Sequence, residues 1–150
     1  MFEPEIKSGQ EISNVELCEI FKCSTQGGMR KSNQTNSLVV ISNHIKSIYD
    51  DRWVDNELHY TGMGQSGEQS IDFMQNKTLA ESHVNQVSVH LFEVFKDLAY
   101  TYIGVVKLSG HPYSEIQPDK KGLDRKVFVF PVKLISEDNP LLQKSEIDNL

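Results

Sequence analysis

The chain has 150 residues, 38% of them hydrophobic, which is the size of one domain and enough for a core that needs no disulfide or structural metal. No apolar run approaches the roughly 18 residues of a membrane span, and the polar start MFEPEIKSGQEIS lacks the layout of a signal peptide, so a cytoplasmic protein is expected. The net charge of −6 excludes a strongly basic, non-specific nucleic-acid binder, yet the acids gather at the ends: residues 25–133 carry 12 acidic and 12 basic residues and leave room for a local basic face.

In chain order, Ser13 and Glu16 have capping-box spacing, and Leu17, Ile20 and Phe21 form a one-sided stripe, so a short helix is expected there. Cys18 and Cys23 sit five apart on that helix and just after it, with no C-x-x-C pair to hold zinc, and read as reduced cysteines. The polar stretch 24–37 reads as a long loop. Leu38-Val39-Val40-Ile41 is a continuous apolar run, as in a strand covered on both faces, and Glu57–Thr61 is a second strand ended by Gly62 and Gly64. Residues 69–82 read as a helix, with Ile71, Met74, Thr78 and Leu79 on one side.

Three longer strands follow at Val87–Phe95, Tyr100–Leu108 and Lys126–Leu134, the first two joined as a hairpin through Asp97-Leu98-Ala99. Residues 110–123 form a longer connection, and Pro131, which has no N–H to give a ladder, marks an edge or a bulge. The expected architecture is α+β: a small closed or half-closed β-barrel with helices packed outside, over residues 1–134. Residues 135–150 then form an acidic tail or linker to a domain outside this chain.

One series of segments is specific. Tyr49-Asp50-Asp51 is followed by Tyr60-Thr61-Gly62-Met63-Gly64, then Glu68-Gln69-Ser70, then Asn76-Lys77-Thr78-Leu79-Ala80-Glu81-Ser82. In this order and at these intervals the series resembles the SRA (SET and RING-associated) family, with its Y-E-D-D, Y-T-G-x-G, D-Q-x-L and G-N-x-A-L-x-x-S segments. Gly27-Gly28-Met29 and Ser37–Val40 resemble that family's A-G-I loop and the strand after it. The chain is similar in particular to the N-terminal specificity domains of bacterial HNH endonucleases that act on modified DNA. It departs from the pattern by one residue missing between Tyr49 and Asp51, by Glu68 in place of Asp, and by Gln75 in place of Gly.

The resemblance implies a PUA/SRA-like barrel that binds double-stranded DNA and flips a 5-methyl- or 5-hydroxymethylcytosine into a pocket made by Tyr49, Asp51, Trp53, Tyr60, Thr61 and Gly62. The residue types suit that chemistry. A flipped cytosine shows an N4 amino donor that Asp51 would accept, while the Tyr60 and Tyr49 rings would stack on its faces. Backbone N–H groups after Thr61 would donate to O2 and N3, because Gly62 and Gly64 allow close approach. The loop 24–37 is expected at the DNA, with Met29, Arg30 or Gln34 as the wedge and Lys31 on phosphate. The cluster Lys120, Lys121, Arg125 and Lys126 is a further candidate for backbone contact, and the resemblance implies the same for Asn76 and Lys77, which stand where the family contacts the DNA backbone.

No H-N-H run, nuclease-like acid cluster, phosphate loop or activated nucleophile is found, so no catalytic residue, metal or cofactor is expected in this domain. The five histidines have no metal spacing and read as structural or surface residues. A nuclease activity would need a further domain, which would also provide any homodimer contact. The alternative is an RNA- or nucleotide-binding module of the wider PUA-like class.

Overall fold

The structure, a computed structural model, describes residues 1–135. In those residues the chain runs β1 (Glu11–Ile12), α1 (Asn14–Phe21), β2 (Met29–Ser32), β3 (Ser37–Asn43), β4 (Arg52–Val54), β5 (Glu57–Thr61), α2 (Gln75–Ala80), β6 (Ser88–Lys96), β7 (Ala99–Leu108), β8 (Tyr113–Pro118) and β9 (Asp124–Leu134). The acidic tail expected at 135–150 lies, beyond residue 135, outside the described residues.

Helix α1 forms where the capping box stands. Ser13 Oγ accepts from Glu16 N–H at 3.2 Å, Glu16 Oε1 accepts from Ser13 N–H at 3.1 Å, and Lys22 closes the helix in the left-handed conformation. The helix buries Leu17 and Phe21 against one face of the sheet, with Val39, Phe92 and Tyr102. Leu38 and Val40 point the other way, into a second core with Leu58, Leu79, Leu91 and Phe130. The unbroken apolar run of β3 therefore feeds two cores by alternation.

The strands form one sheet of order β2-β3-β6-β7-β9-β5-β4, with β1 on β7 and β8 on β9; only β3 and β6 are parallel. This is mostly β structure with two short helices. The expected barrel is not seen as a closed ladder, because the path ends at β2 on one side and at β4 on the other. Side chains span that gap instead. Asp51 Oδ2 accepts from Ser42 Oγ of β3 at 2.8 Å while Oδ1 accepts from Thr61 N–H of β5 at 2.7 Å. The Tyr60 hydroxyl of β5 reaches Gly28 O at 3.0 Å and Ile41 O at 3.1 Å.

Three local expectations change. The loop 24–37 contains strand β2, paired with β3 from Met29↔Val40 to Ser32↔Ser37, and the connection 110–123 contains β8, paired with β9. The helix expected over 69–82 is only Gln75–Ala80: Met74 takes φ +48°, outside the helical region, and interrupts the apolar stripe. Pro131 lies in neither an edge strand nor a bulge. It pairs with His59 of β5 and sits where β9 exchanges β8, paired up to Val129, for β7, paired from Val132. Its carbonyl accepts from Ser109 N–H on that side, so the missing donor faces the break between the two partner strands.

Candidate functional site

The chain leaves β5 at Thr61 in a tight turn that two buried amides hold in place. Gln69 Nε2 donates to Gly62 O at 2.7 Å and to Gly64 O at 3.2 Å, while its Oε1 accepts from Phe128 N–H of β9. Asn76, fully buried in α2, accepts from Met63 N–H at 2.6 Å and donates to Met63 O and Ser70 O. Gly62 is required by this packing, since a Cβ there would lie 2.6 Å from Asn76 Oδ1 and 3.0 Å from the Phe130 ring. Arg125 of β9 completes the frame, its Nη1 donating to Gly64 O and Gly67 O.

Beside this turn is a cavity of about 330 Å³, within the range of small-ligand sites. Tyr49 and the run 60–65 line it together with Gly27, Gly28 and Met29, and the exposed Phe73 and Met74 stand at its rim. Four of the six residues expected at a base pocket are thus brought to one cavity. Tyr49 is half-buried, and burial raises its hydroxyl pKa above the ordinary value. Tyr60 is only 4% exposed, with its hydroxyl committed to Gly28 and Ile41, so a narrow part of its ring is open for stacking.

Asp51 is not in the lining. It stands behind Thr61, bonded to Thr61 N–H and Ser42 Oγ, and burial pushes its carboxyl pKa up even though both bonds favour the ionised form. Each oxygen has accepted one bond and retains a further lone-pair site. The Thr61 hydroxyl accepts from Gln117 Nε2 at 3.0 Å.

Several expectations need correction. The backbone donors after Thr61 are engaged within the protein: Gly62 N–H goes to Phe128 O, Met63 N–H to Asn76 and Gly64 N–H to the Tyr49 hydroxyl, while Thr61 N–H goes to Asp51. Trp53 is away from the cavity, its indole N–H donating to Glu93 Oε2 of β6 at 3.0 Å. Arg30 is 5% exposed and fixes the 24–28 segment on α1 through Gly27 O, Ser24 O and Asn14 Oδ1, so its guanidinium is not presented to a phosphate. Met29 is 4% exposed and is not presented as a wedge, and Asn76 is buried as a clamp inside the fold.

Gln34 and Lys77 are exposed, and Lys31 is half-buried with its ammonium on Ser32 O and Asn33 Oδ1. Arg125 is buried, whereas Lys120 and Lys121 are exposed at the β8–β9 turn, beside the rim: Lys120 N–H donates to the carbonyl of Gln65, which lines the cavity. The exposed rim residues Phe73 and Met74 were not singled out from sequence, where Met74 reads as part of a helical stripe. Among the described residues no cluster of three metal-ligating side chains occurs.

Residues 8–146 match the family described as ScoMcrA-like, SRA domain. No curated protein matches the chain. Among solved structures, the sulfur-binding and SRA domains of ScoMcrA complexed with phosphorothioated DNA match with a TM-score of 0.72 at 14% identity, over 87% of this chain and 40% of that one. The SUVH5 SRA domain in complex with methylated CHH DNA matches with a TM-score of 0.66 at 21% identity, over 90% of this chain and 92% of that one. The modification-dependent TagI restriction endonuclease matches with a TM-score of 0.66 at 18% identity, over 89% and 51%. The chain therefore spans less than half of the ScoMcrA fragment it resembles, and at these identities the likeness is one of fold.

Proposed function

The chain belongs to the SRA domain family of ScoMcrA type, and on that premise we propose that it binds duplex DNA containing a 5-methyl- or 5-hydroxymethylcytosine and extrudes that base into the cavity at Tyr49, Tyr60 and Thr61. The observation that carries this reading is the cavity itself, which lies where the family segments Tyr49–Asp51 and Tyr60–Gly64 meet the Gly27–Met29 loop. A recessed cavity of this size reads the edges of a base only after that base has left the stack. The SUVH5 SRA domain in complex with methylated DNA supports the reading directly; the ScoMcrA fragment, in complex with phosphorothioated DNA, and the modification-dependent TagI endonuclease support modified DNA as the broader ligand class.

In this reading Tyr49 stacks on the base, and Asp51 supplies the negative charge behind Thr61 that favours an N4 amino donor over a thymine O4 acceptor. Lys120 and Lys121 take the phosphates on one side of the rim, with Lys31, Gln34 and Lys77 as further backbone contacts. The Ser42–Asp51–Thr61 and Tyr60–Gly28 bridges tie the segments beside the cavity together. The role extends to specificity domain of a cytoplasmic, modification-dependent restriction endonuclease, with an HNH nuclease and any homodimer contact supplied by a further domain.

The test is a titration of one duplex with and without a single 5-methylcytosine, beside an RNA duplex of the same sequence. The methylated duplex is expected to bind about 10- to 100-fold more tightly, the range that one small group in a pocket provides. Equal affinity for the two DNA duplexes defeats the reading, and a preference for RNA favours the PUA-like alternative.

A further inference from the structure

The chain has four methionines, and the three beyond Met1 all line the same cavity. They reach it from separate elements. Met29 comes from β2, anchored by its ladder to Val40; Met63 from the turn after β5; and Met74 from the start of α2, 60% exposed beside Phe73, which is 45% exposed.

The backbone under Met63 and Met74 is held firmly. Asn76 engages both the N–H and the carbonyl of Met63, and Met74 O accepts from Lys77 N–H although Met74 sits at φ +48°. A non-glycine residue in that region costs about 1–3 kcal/mol and persists where the surroundings over-determine it. The N–H and carbonyl of Met63 and of Phe73 and the carbonyl of Met74 are engaged internally, so what these side chains offer a ligand is thioether and aromatic ring. A thioether side chain is unbranched, polarisable and free to change rotamer, and it re-packs around ligands of different shape without moving the backbone.

We infer that this methionine wall makes the cavity adaptable to the size of the C5 substituent, so that the domain accepts cytosines carrying groups bulkier than methyl with little loss of affinity. The inference rests on the base-binding reading above and concerns only its selectivity. The ligand class is a pyrimidine base with an apolar substituent at C5, extruded from a duplex. A stiff wall of the same size separates ligands that differ by one carbon by about 10-fold or more; a wall of rotating thioethers does not.

Fluorescence anisotropy with four duplexes, identical except for one cytosine, 5-methylcytosine, 5-hydroxymethylcytosine or 5-propynylcytosine, tests this. The unaltered protein is expected to bind the propynyl duplex within about threefold of the methyl duplex, and both at least about 10-fold more tightly than the unmodified one. The double variant Met63→Leu, Met74→Leu keeps volume but branches at Cγ, and is expected to raise the ratio of methyl to propynyl affinity about 10-fold, whatever it does to methyl affinity itself. Met74→Leu alone, at an exposed position, gives the same trend if the double variant melts early.

Preference for methyl with propynyl bound no better than unmodified cytosine overturns the inference and leaves the base-binding reading standing. A methyl-to-propynyl ratio unchanged in both leucine variants also overturns it. Equal binding of all four duplexes by the unaltered protein overturns both readings.

Discussion

Asp51 is the residue whose chemistry bears most on discrimination. Both of its oxygens are already used, on Thr61 N–H and Ser42 Oγ, so it holds the wall of the cavity as well as charging it. Substitution Asp51→Asn separates the two tasks, because the amide keeps the shape and one acceptor but places a donor where the carboxylate accepted. Removing a charge that acts from behind Thr61 weakens its attraction for an N4 amino donor by about 1–2 kcal/mol, roughly 5- to 30-fold in affinity. The variant is expected to lose that much for methylated duplex while its weak binding to unmodified duplex is retained. Asp50, exposed and beside Arg52, is expected to tolerate the same change. Gel-shift titration of both variants checks this, and an Asp51 variant that melts normally yet binds as before removes the carboxylate from recognition.

At the scale of elements, strand β6 carries the most pH-sensitive contact of the α1 core. His90 is fully buried between Ser88 Oγ at 3.0 Å and Tyr102 Oη at 2.9 Å, with the Phe21 ring 5.0 Å away. Burial lowers its pKa from 6.5 to about 4, so the folded protein keeps the imidazole neutral where the unfolded chain protonates it. Between those two values the unfolded state binds more protons, and stability therefore rises with pH. As pH falls from 6.5 to 4, this one group is expected to remove up to about 3 kcal/mol. Urea unfolding at pH 7, 5.5 and 4 measures the slope. His90→Gln keeps polar atoms without titrating and is expected to flatten it; an unchanged slope assigns the acid sensitivity to another group.

For the whole molecule the question is how a chain of charge −6 approaches a polyanion. The acids at the termini are remote in sequence from the cavity, and exposed lysines, Lys120 and Lys121, flank its rim at Gln65. Each phosphate neutralised contributes about 0.9 to the slope of log affinity against log salt. Lys120→Ala with Lys121→Ala is expected to weaken modified and unmodified duplexes alike and to reduce that slope by about 2. Arg30→Ala is the contrasting case. It leaves Gly27 O, Ser24 O and Asn14 Oδ1 without their donor and is expected to lower the melting temperature with the salt slope unchanged. Binding measured at several salt concentrations, beside thermal melts of both variants, distinguishes surface contact from scaffold.

The sequence alone determined whatever depends on local order: the capping box of α1, the two-faced burial of β3, the long hairpin of β6 and β7, and the spaced segments that mark the family. Those signals lie within short windows, where period and turn chemistry decide the outcome. It did not reveal β2 or β8, whose polar residues, such as Arg30, Lys31 and Ser114, form strands because a neighbouring strand satisfies their backbone. Only the tertiary structure decided which polar residues face solvent. Arg30 reads as a DNA contact by type and Asn76 by the family resemblance, and Trp53 as pocket, yet the first two are buried in hydrogen bonds and the third turns to Glu93. A polar side chain inside a fold must find a partner or cost free energy, and that partner is supplied by chain distant in sequence. The same holds for the cavity, whose wall joins Met29, Met63 and Met74 from three elements that only the folded sheet brings together.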